Sequence, residues 1–520
     1  MSRPSAVTLP AEQSASAASW LTLPNAVPLD LVVLQSAPKR TTEIFPHAPS
    51  AAVRCVDREF LVVVSCGLPA LPDDTGLSSN SNTVEGEKSA SGTEGAKDST
   101  NGGKVLAAAI SAHVYTLPNS AAELVYISKV DSSGYASACG PLTRVLASSF
   151  ISYFLEAPGT VAATLFARAQ GQYLFPNSVE GGGKRVLGGL GLCGWWKRVF
   201  EDAASKVIEA EKRPVVKPRQ VELSYLLPSY SAAEARGMLP AASALPAGVK
   251  WDYKPPFTHR ILPGTSLATL IPSLPDDPKT RFLEELVDDA LDKEPYAVRE
   301  RRRSSQAKQP EDSKDENGEK SDANGEPKDD KEKERAKLSR KERETEAEEE
   351  ERRKAYAALE NVPTDEFWER MGFRQECASG DVTGFFHVLV VPDPEGGDAS
   401  SFVAAAEAQQ LAAESKPDSK PESSDSSKPP ASGKDAHTLP PALVERILTS
   451  MLNTDFGNRQ LASSGTSFWT QATKSLVVDA IGEKGWDACF GSIAAKQGVQ
   501  REQKRKEETV TMLQPRKKKK

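Results

Sequence analysis

The 520-residue sequence predicts an α/β protein with a mixed central sheet flanked by helices, a single body interrupted by long disordered insertions. Three observations lead there. Runs of β-branched and aliphatic residues bounded by Gly, Asn and Pro read as strands. Apolar residues recurring at helical spacing mark other segments as helices. Some strands follow one another directly while others are separated by a helix, and this combination calls for a sheet of mixed direction.

The strands expected on this basis are 58–66, 105–115, 122–129, 160–168, 221–227 and 383–391. The helices are 142–155, which stops before Pro158, then 187–207, 280–291 and 364–374; residues 445–452 and 466–482 supply a small C-terminal helical element. Residues 72–104, 301–353 and 393–437 are dominated by Ser, Gly, Pro and charged residues, and in 301–353 Leu338 is the only large aliphatic. Such segments cannot bury enough apolar surface to offset backbone ordering entropy of about 1–2 kcal/mol per residue. Part of 335–356 has the composition of a solvated helix. The resulting partition is a main body over 16–392 carrying insertions at 72–104 and 301–353, a linker at 393–437, a C-terminal helical element of the same body at 438–495, and a basic tail at 496–520.

Charge and cysteine content narrow the classes. Lys plus Arg number 65 against 72 Asp plus Glu, a net charge of −7, so any nucleic-acid surface must be local. Basic clusters at Lys504, Arg505 and Lys506 and at 515–520 (PRKKKK) are either a solvated tail, a nuclear import signal, or a contact for nucleic acid or an acidic protein, which leaves direct nucleic-acid binding open. Cys55, Cys66, Cys139, Cys193, Cys377 and Cys489 are scattered without C-x-x-C or a histidine at metal-ligand spacing, so neither a disulfide framework nor a metal site is expected. The opening MSRPSAVTLPAEQ has no basic-then-apolar signal pattern and no apolar run spans a bilayer; the expectation is a soluble intracellular protein without a membrane partner.

Several enzyme classes are unsupported. There is no G-x-S-x-G elbow and no G-x-x-x-x-G-K-[ST] loop. Gly189, Gly191 and Gly194 form a G-x-G-x-x-G, but a polar, glycine-rich stretch precedes it where a dinucleotide fold needs a strand.

Five segments carry more information: VYISKVDSSGY, LFARAQGQYLFPNS, GGGKRVLGGLGLCGWWKRVF, SLPDDPKTRFLEEL and FWERMGFRQECASGDVTGF. In this order they closely resemble the fungal regulator-of-Ty-transposition histone acetyltransferases, whose fold is similar to the metazoan CREB-binding-protein acetyltransferases. The resemblance covers most of the chain outside the low-complexity insertions. It implies acetyl-CoA as co-substrate, no metal, and transfer to a lysine in the globular core of newly synthesised histone H3. It further implies H3–H4 held by chaperones of the anti-silencing-function and nucleosome-assembly-protein types, and a nuclear role in replication-coupled nucleosome assembly and DNA-damage tolerance. A non-enzymatic histone- or DNA-binding scaffold is the alternative.

Acetyl transfer sets physical demands. A lysine amine is only about one part in a thousand neutral at pH 7.4, so the site must favour proton loss. The coenzyme phosphates need basic groups and backbone N–H groups, and its pantetheine arm needs an apolar wall. The resemblance assigns coenzyme contacts to Val130, Asp131, Ser132, Phe166, Arg168, Gln170, Lys184, Arg185, Val186, Leu187 and Trp195, and reaction-centre roles to Asp276, Asp277, Trp196 and Tyr173. It also marks Lys279 as a site of autoacetylation. Each has an ordinary alternative: Asp131 as turn chemistry, the tryptophans as core, Lys184 and Arg185 as solvated charges, Asp277 as the N-cap before Pro278. Adjacent carboxylates at Asp276 and Asp277 are expected to raise each other's pKa.

Overall fold

The computed structural model describes residues 22–23, 28–45, 55–68, 103–116, 122–136, 139–181, 183–211, 219–241, 245–257, 268, 271–292, 350, 353–355, 357–374, 377, 380–392, 437–494 and 496–497. The three insertions expected to be disordered lie almost wholly outside these residues, as does the basic tail.

The strands are β1 (Thr22–Leu23), β2 (Pro28–Gln35), β3 (Lys39–Thr41), β4 (Cys55–Gly67), β5 (Lys104–Thr116), β6 (Glu123–Ser132), β7 (Val161–Ala167), β8 (Arg219–Leu226), β9 (Trp251–Tyr253), β10 (Gly384–Pro392), β11 (Phe490–Ala494) and β12 (Lys496–Gln497). The helices are α1 (Leu142–Leu155), α2 (Gly189–Glu211), α3 (Ala232–Met238), α4 (Pro278–Asp292), α5 (Thr364–Gly372), α6 (Pro441–Leu452) and α7 (Arg459–Cys489). Ten strands form one sheet in the order β11-β2-β4-β5-β6-β7-β10-β8-β9, with β3 beside β4; β1 and β12 pair separately. Neighbours run antiparallel except β6–β7 and β8–β9, which are parallel. The expected mixed sheet is therefore present, and α1 is the crossover that lets β7 lie parallel to β6.

Burial follows from strand composition. β5 is buried at Val105–Ile110 and β7 at Val161–Leu165, the near-continuous apolar pattern of strands covered on both faces. Helix α1 packs Phe150 and Phe154 against Phe60 of β4, with ring centroids 6.1 and 5.3 Å apart. Helix α2 is anchored by a buried ion pair, Lys197 Nζ to Glu201 Oε1 at 2.7 Å, whose carboxylate also accepts from Trp251 Nε1 at 2.8 Å. The C-terminal helices belong to the same core: Ile447, Met451, Trp469 and Trp486 sit in the main cluster. Thr466 Oγ1 accepts from the Leu106 N–H at 2.9 Å, beside Ala107, the extra β5 residue of the bulge opposite Val64 and Ser65 of β4.

Helix α7 runs from Arg459 to Cys489, well beyond the expected 466–482, and contains a non-helical break at Gly482 (φ 79°). All six cysteines are free and buried. No helix among the described residues is long and apolar enough to cross a membrane.

Candidate active site

The end of β6 is the first fixed point. Asp131 is 5% exposed, and its carboxylate is fully engaged. Oδ2 accepts from the backbone N–H groups of Tyr173, Leu174 and Phe175 at 2.8, 2.9 and 3.3 Å. Oδ1 accepts from the Ser132 N–H at 2.8 Å and from Lys184 Nζ at 2.7 Å. Lys184 also donates to Ser178 Oγ at 3.0 Å. A buried carboxylate is tolerated only with such saturation. Asp131 therefore ties the loop after β7 and the segment before α2 to the end of β6. The ordinary alternative of two solvated charges does not describe Lys184, whose ammonium turns inward, while Arg185 is exposed.

Two glycines permit this closure. Gly134 has φ +87°, and a Cβ there would lie 2.5 Å from the Lys184 backbone nitrogen; a Cβ on Gly183 would lie 2.7 Å from the Gly134 carbonyl oxygen. The glycine run thus serves backbone-to-backbone approach within the protein.

Phe166 is half-buried at the end of β7, while Arg168 and Gln170 are exposed beyond it. The Tyr173 hydroxyl donates to the Arg168 carbonyl, closing the loop on itself, and burial pushes its pKa up to about 12. The α6–α7 connection braces this loop from outside: Phe456 packs edge-on to Phe175 at 4.9 Å, its N–H donates to the Pro176 carbonyl at 2.9 Å, and its own carbonyl accepts from the Tyr135 hydroxyl at 2.8 Å.

Helix α2 begins where Asp381 Oδ2 accepts the Gly189 N–H at 2.7 Å, a cap supplied from nearly 200 residues away. Its two tryptophans differ as adjacent helical positions must. Trp196 is 6% exposed in the core and Trp195 is half-buried against it, the rings edge-to-face at 4.7 Å. Leu187 is half-buried, whereas Val186 and Leu190 stand 44% and 39% exposed beside Arg185.

The second fixed point is the turn before α4. Asp277 caps the helix by accepting the Lys279 N–H at 2.9 Å, with Pro278 as the first helical residue. Its other oxygen meets Lys279 Nζ, and both residues are 1% exposed. Burial pushes the Lys279 pKa down, opposed by the ion pair with Asp277. The ammonium also lies 4.6 Å over the Phe385 ring, which stands 4.8 Å from Phe166 and 5.2 Å from Trp368. Asp276 points elsewhere: it is exposed, has φ 56°, and pairs with Lys129 Nζ at 3.0 Å. The adjacent carboxylates each meet an ammonium. Tyr126 completes the contact by donating its hydroxyl to the Pro275 carbonyl at 2.7 Å. Burial, then Asp277 and Asp276, push that phenol well above its ordinary value.

Sequence reasoning missed Lys129, Tyr126, Phe385, Trp368 and Asp381. Lys129 lies inside the quoted VYISKVDSSGY, and Trp368, Asp381 and Phe385 inside FWERMGFRQECASGDVTGF, but nothing in linear spacing shows what they face.

One grouping was also invisible in the sequence. Ligand atoms of Asp57, Glu59 and His113 lie within 4.8 Å of one another, and His113 Nδ1 is 3.3 Å from Asp57 Oδ1. Glu59 and His113 are register partners across β4 and β5, so this is a cross-strand contact.

Residues 147–472 match the profile of the histone acetyltransferase KAT11-type domain, more than half of the chain. The chain belongs to this family. This KAT11-type chain is 29% identical over 291 residues to the histone acetyltransferase rtt109 of Aspergillus flavus, covering 52% of this chain and 42% of that protein. It is 28% identical over 267 residues to the histone acetyltransferase rtt109 of Schizosaccharomyces pombe, covering 51% of each. The matched region thus spans about half or less of these curated relatives. The crystal structure of Rtt109 from Aspergillus fumigatus shares the fold with a TM-score of 0.57 at 20% identity, covering 93% of this chain and all of that one.

Proposed function

We propose that this KAT11-type protein is a histone acetyltransferase that moves the acetyl group of acetyl-CoA to a lysine in the globular core of newly synthesised histone H3. The observation that carries the reading is the convergence, within the family's matched region and the β6 strand beside it, of a coenzyme-like wall and a buried Asp–Lys pair. Arg168 and Arg185 are exposed on two segments linked through Asp131, beside the exposed apolar side chains of Val186 and Leu190. Cations next to apolar surface suit a ligand with phosphates at one end and a pantetheine arm at the other. Trp195 and Phe166 would continue the apolar wall, Val130, Ser132, Gln170 and Leu187 border it, and Asp131 with Lys184 hold its shape.

The substrate amine must give up a proton as it attacks the thioester carbonyl; the C–S bond then breaks and the coenzyme leaves as its thiol. Asp276, paired with Lys129 but exposed to solvent, is the carboxylate that an approaching ammonium can reach. Asp277 is occupied by Lys279, and acetylation of Lys279 would remove that ammonium and release the Asp277 carboxylate for proton transfer. Trp196 supplies an apolar backing, and Tyr173, its hydroxyl held by Arg168, fixes the loop.

In this reading the substrate is H3–H4 presented by anti-silencing-function and nucleosome-assembly-protein chaperones. The protein acts in the nucleus, supporting nucleosome assembly behind replication and tolerance of DNA damage. The test is purified protein with labelled acetyl-CoA and H3–H4, with and without chaperone, followed by mass spectrometry of modified lysines. Acetyl groups on H3 core lysines are the expected result. Absence of acetyl-CoA binding by calorimetry would instead leave a non-enzymatic scaffold.

A further inference from the structure

Strand β6 carries an irregularity directly upstream of the coenzyme-like segment. Its pairing with β5 shifts, so that Ser111 faces Lys129 while Ala112 faces Ile127, and Ser128 has no partner in the ladder. In a regular strand, residues three apart point to opposite faces. Yet Tyr126 and Lys129 reach the same turn, Tyr126 through its hydroxyl to the Pro275 carbonyl at 2.7 Å and Lys129 through Nζ to Asp276 Oδ2 at 3.0 Å. The extra residue at Ser128 resolves this parity: a bulge re-aims the side chains that follow it. Lys129 is thereby placed on the face of the acidic turn, two residues before Asp131.

We propose that Lys129, turned by the Ser128 bulge, is a positioning residue that fixes the Asp276–Asp277 turn against the strand carrying Asp131. The proposal rests on the acetyltransferase reading and adds to it a group that touches neither coenzyme nor product. The side chains of Lys129 and Asp276 are 34% and 65% exposed, and a pair so open to solvent adds little to stability. Its consequence is geometric. Asp276 holds a left-handed backbone conformation that Asp and Asn tolerate better than other side chains, and the Lys129 contact defines where that turn sits. One strand then spans both halves of the site, gripping the acidic turn at Tyr126 and Lys129 and the loop after β7 at Asp131.

The test uses the full chain with Lys129→Met, Lys129→Arg, Asp276→Asn and the Lys129→Met/Asp276→Asn double variant. Asn keeps the left-handed backbone while removing the charge. Lys129→Met should lower kcat on H3 about ten- to a hundredfold, the scale on which misplacement of a reacting group acts. Acetyl-CoA affinity by calorimetry and Tm should stay close to the parent values, and Lys129→Arg should restore most of kcat. Because Lys129 acts through Asp276, the double variant should be no slower than the slower single variant. Hydrogen exchange over 271–283 should quicken in Lys129→Met and in no other segment distant from β6. Multiplying losses in the double variant, or unchanged exchange over 271–283, overturns the proposal. A parent protein that binds no acetyl-CoA sinks the acetyltransferase reading instead, and the exchange measurement still decides whether Lys129 fixes the turn.

Discussion

Lys279 folds back onto Asp277, two residues earlier in the chain, and both are buried, with the Lys279 ammonium over Phe385 of the cluster that contains Phe282, Phe367 and Trp368. The pair exists because the first turn of α4 is buried on the side where Asp277 caps it. Asp277→Asn strands the ammonium, and leaving a buried charge uncompensated costs about 3–5 kcal/mol. A lysine whose folded pKa is already lowered releases its proton more readily in the folded state than in the unfolded one. Stability therefore rises with pH between the two values, and removing Asp277 lowers the folded value further. The deficit of Asp277→Asn should shrink as pH rises in denaturant titrations, and adding Lys279→Met should recover most of it. A deficit independent of pH and of residue 279 would mean the lost cap dominates.

Asp131 should be the more sensitive member of its own pair. It accepts four backbone N–H groups as well as Lys184, so Asp131→Asn both breaks a buried ion pair and replaces an acceptor oxygen with a donor. Lys184→Met leaves the backbone bonds intact. Asp131→Asn should lower stability by about 3 kcal/mol and abolish acetyl-CoA binding, with Lys184→Met milder in both. Calorimetric Tm and acetyl-CoA titration of the two variants decide the order; equal losses would show that the ammonium, rather than the loop, is what Asp131 holds.

These two pairs also mark what linear pattern can carry. The Asp277–Pro278 helix start is written locally, in an acceptor followed by a residue that needs no N–H partner, and helix α1 spans the expected 142–155 because Gly140, Pro141 and Pro158 punctuate it. The expected strands were recovered with ends shifted by at most three residues, since apolar β-branched runs need both faces covered. Strand β2 (PLDLVVLQ) was missed; its partners are β4 and β11, the latter more than 450 residues away. The Ser- and Gly-rich start of α7 suggests a break, yet tertiary burial of Ala462, Thr466 and Trp469 holds it helical. The resemblance named most of the site but not its wiring. Asp131 meets Lys184 across 53 residues and Lys129 meets Asp276 across 147, and no spacing rule relates either pair.

The glycines of that wiring admit little change. Gly134→Ala places a methyl group 2.5 Å from the Lys184 nitrogen on a backbone with φ +87°. A non-glycine residue in that region costs about 1–2 kcal/mol before any clash. The variant should fall by at least that amount in unfolding free energy and weaken acetyl-CoA binding at the same time. Retained affinity at reduced stability would separate this turn from the coenzyme wall.

The final prediction concerns the α1–α2 interface, away from the proposed chemistry. Lys206 donates to Ser148 Oγ and Ser149 Oγ at 3.0 and 2.9 Å, and burial lowers its pKa to about 8, with Asp202 opposing the shift. Between pH 8 and its unfolded value the unfolded chain holds the extra proton, so the lysine's contribution to stability grows as pH rises through that window and is least favourable below it. Lys206→Met removes the dependence. Its stability relative to the parent should be highest near pH 7 and decline by about 1–3 kcal/mol as pH approaches 10. Comparing the two proteins at each pH cancels the thiols and phenols that titrate in both. A difference that stays flat from pH 7 to 10 would mean that Lys206 keeps its charge throughout, with the two serine hydroxyls and Asp202 together replacing the water it lost.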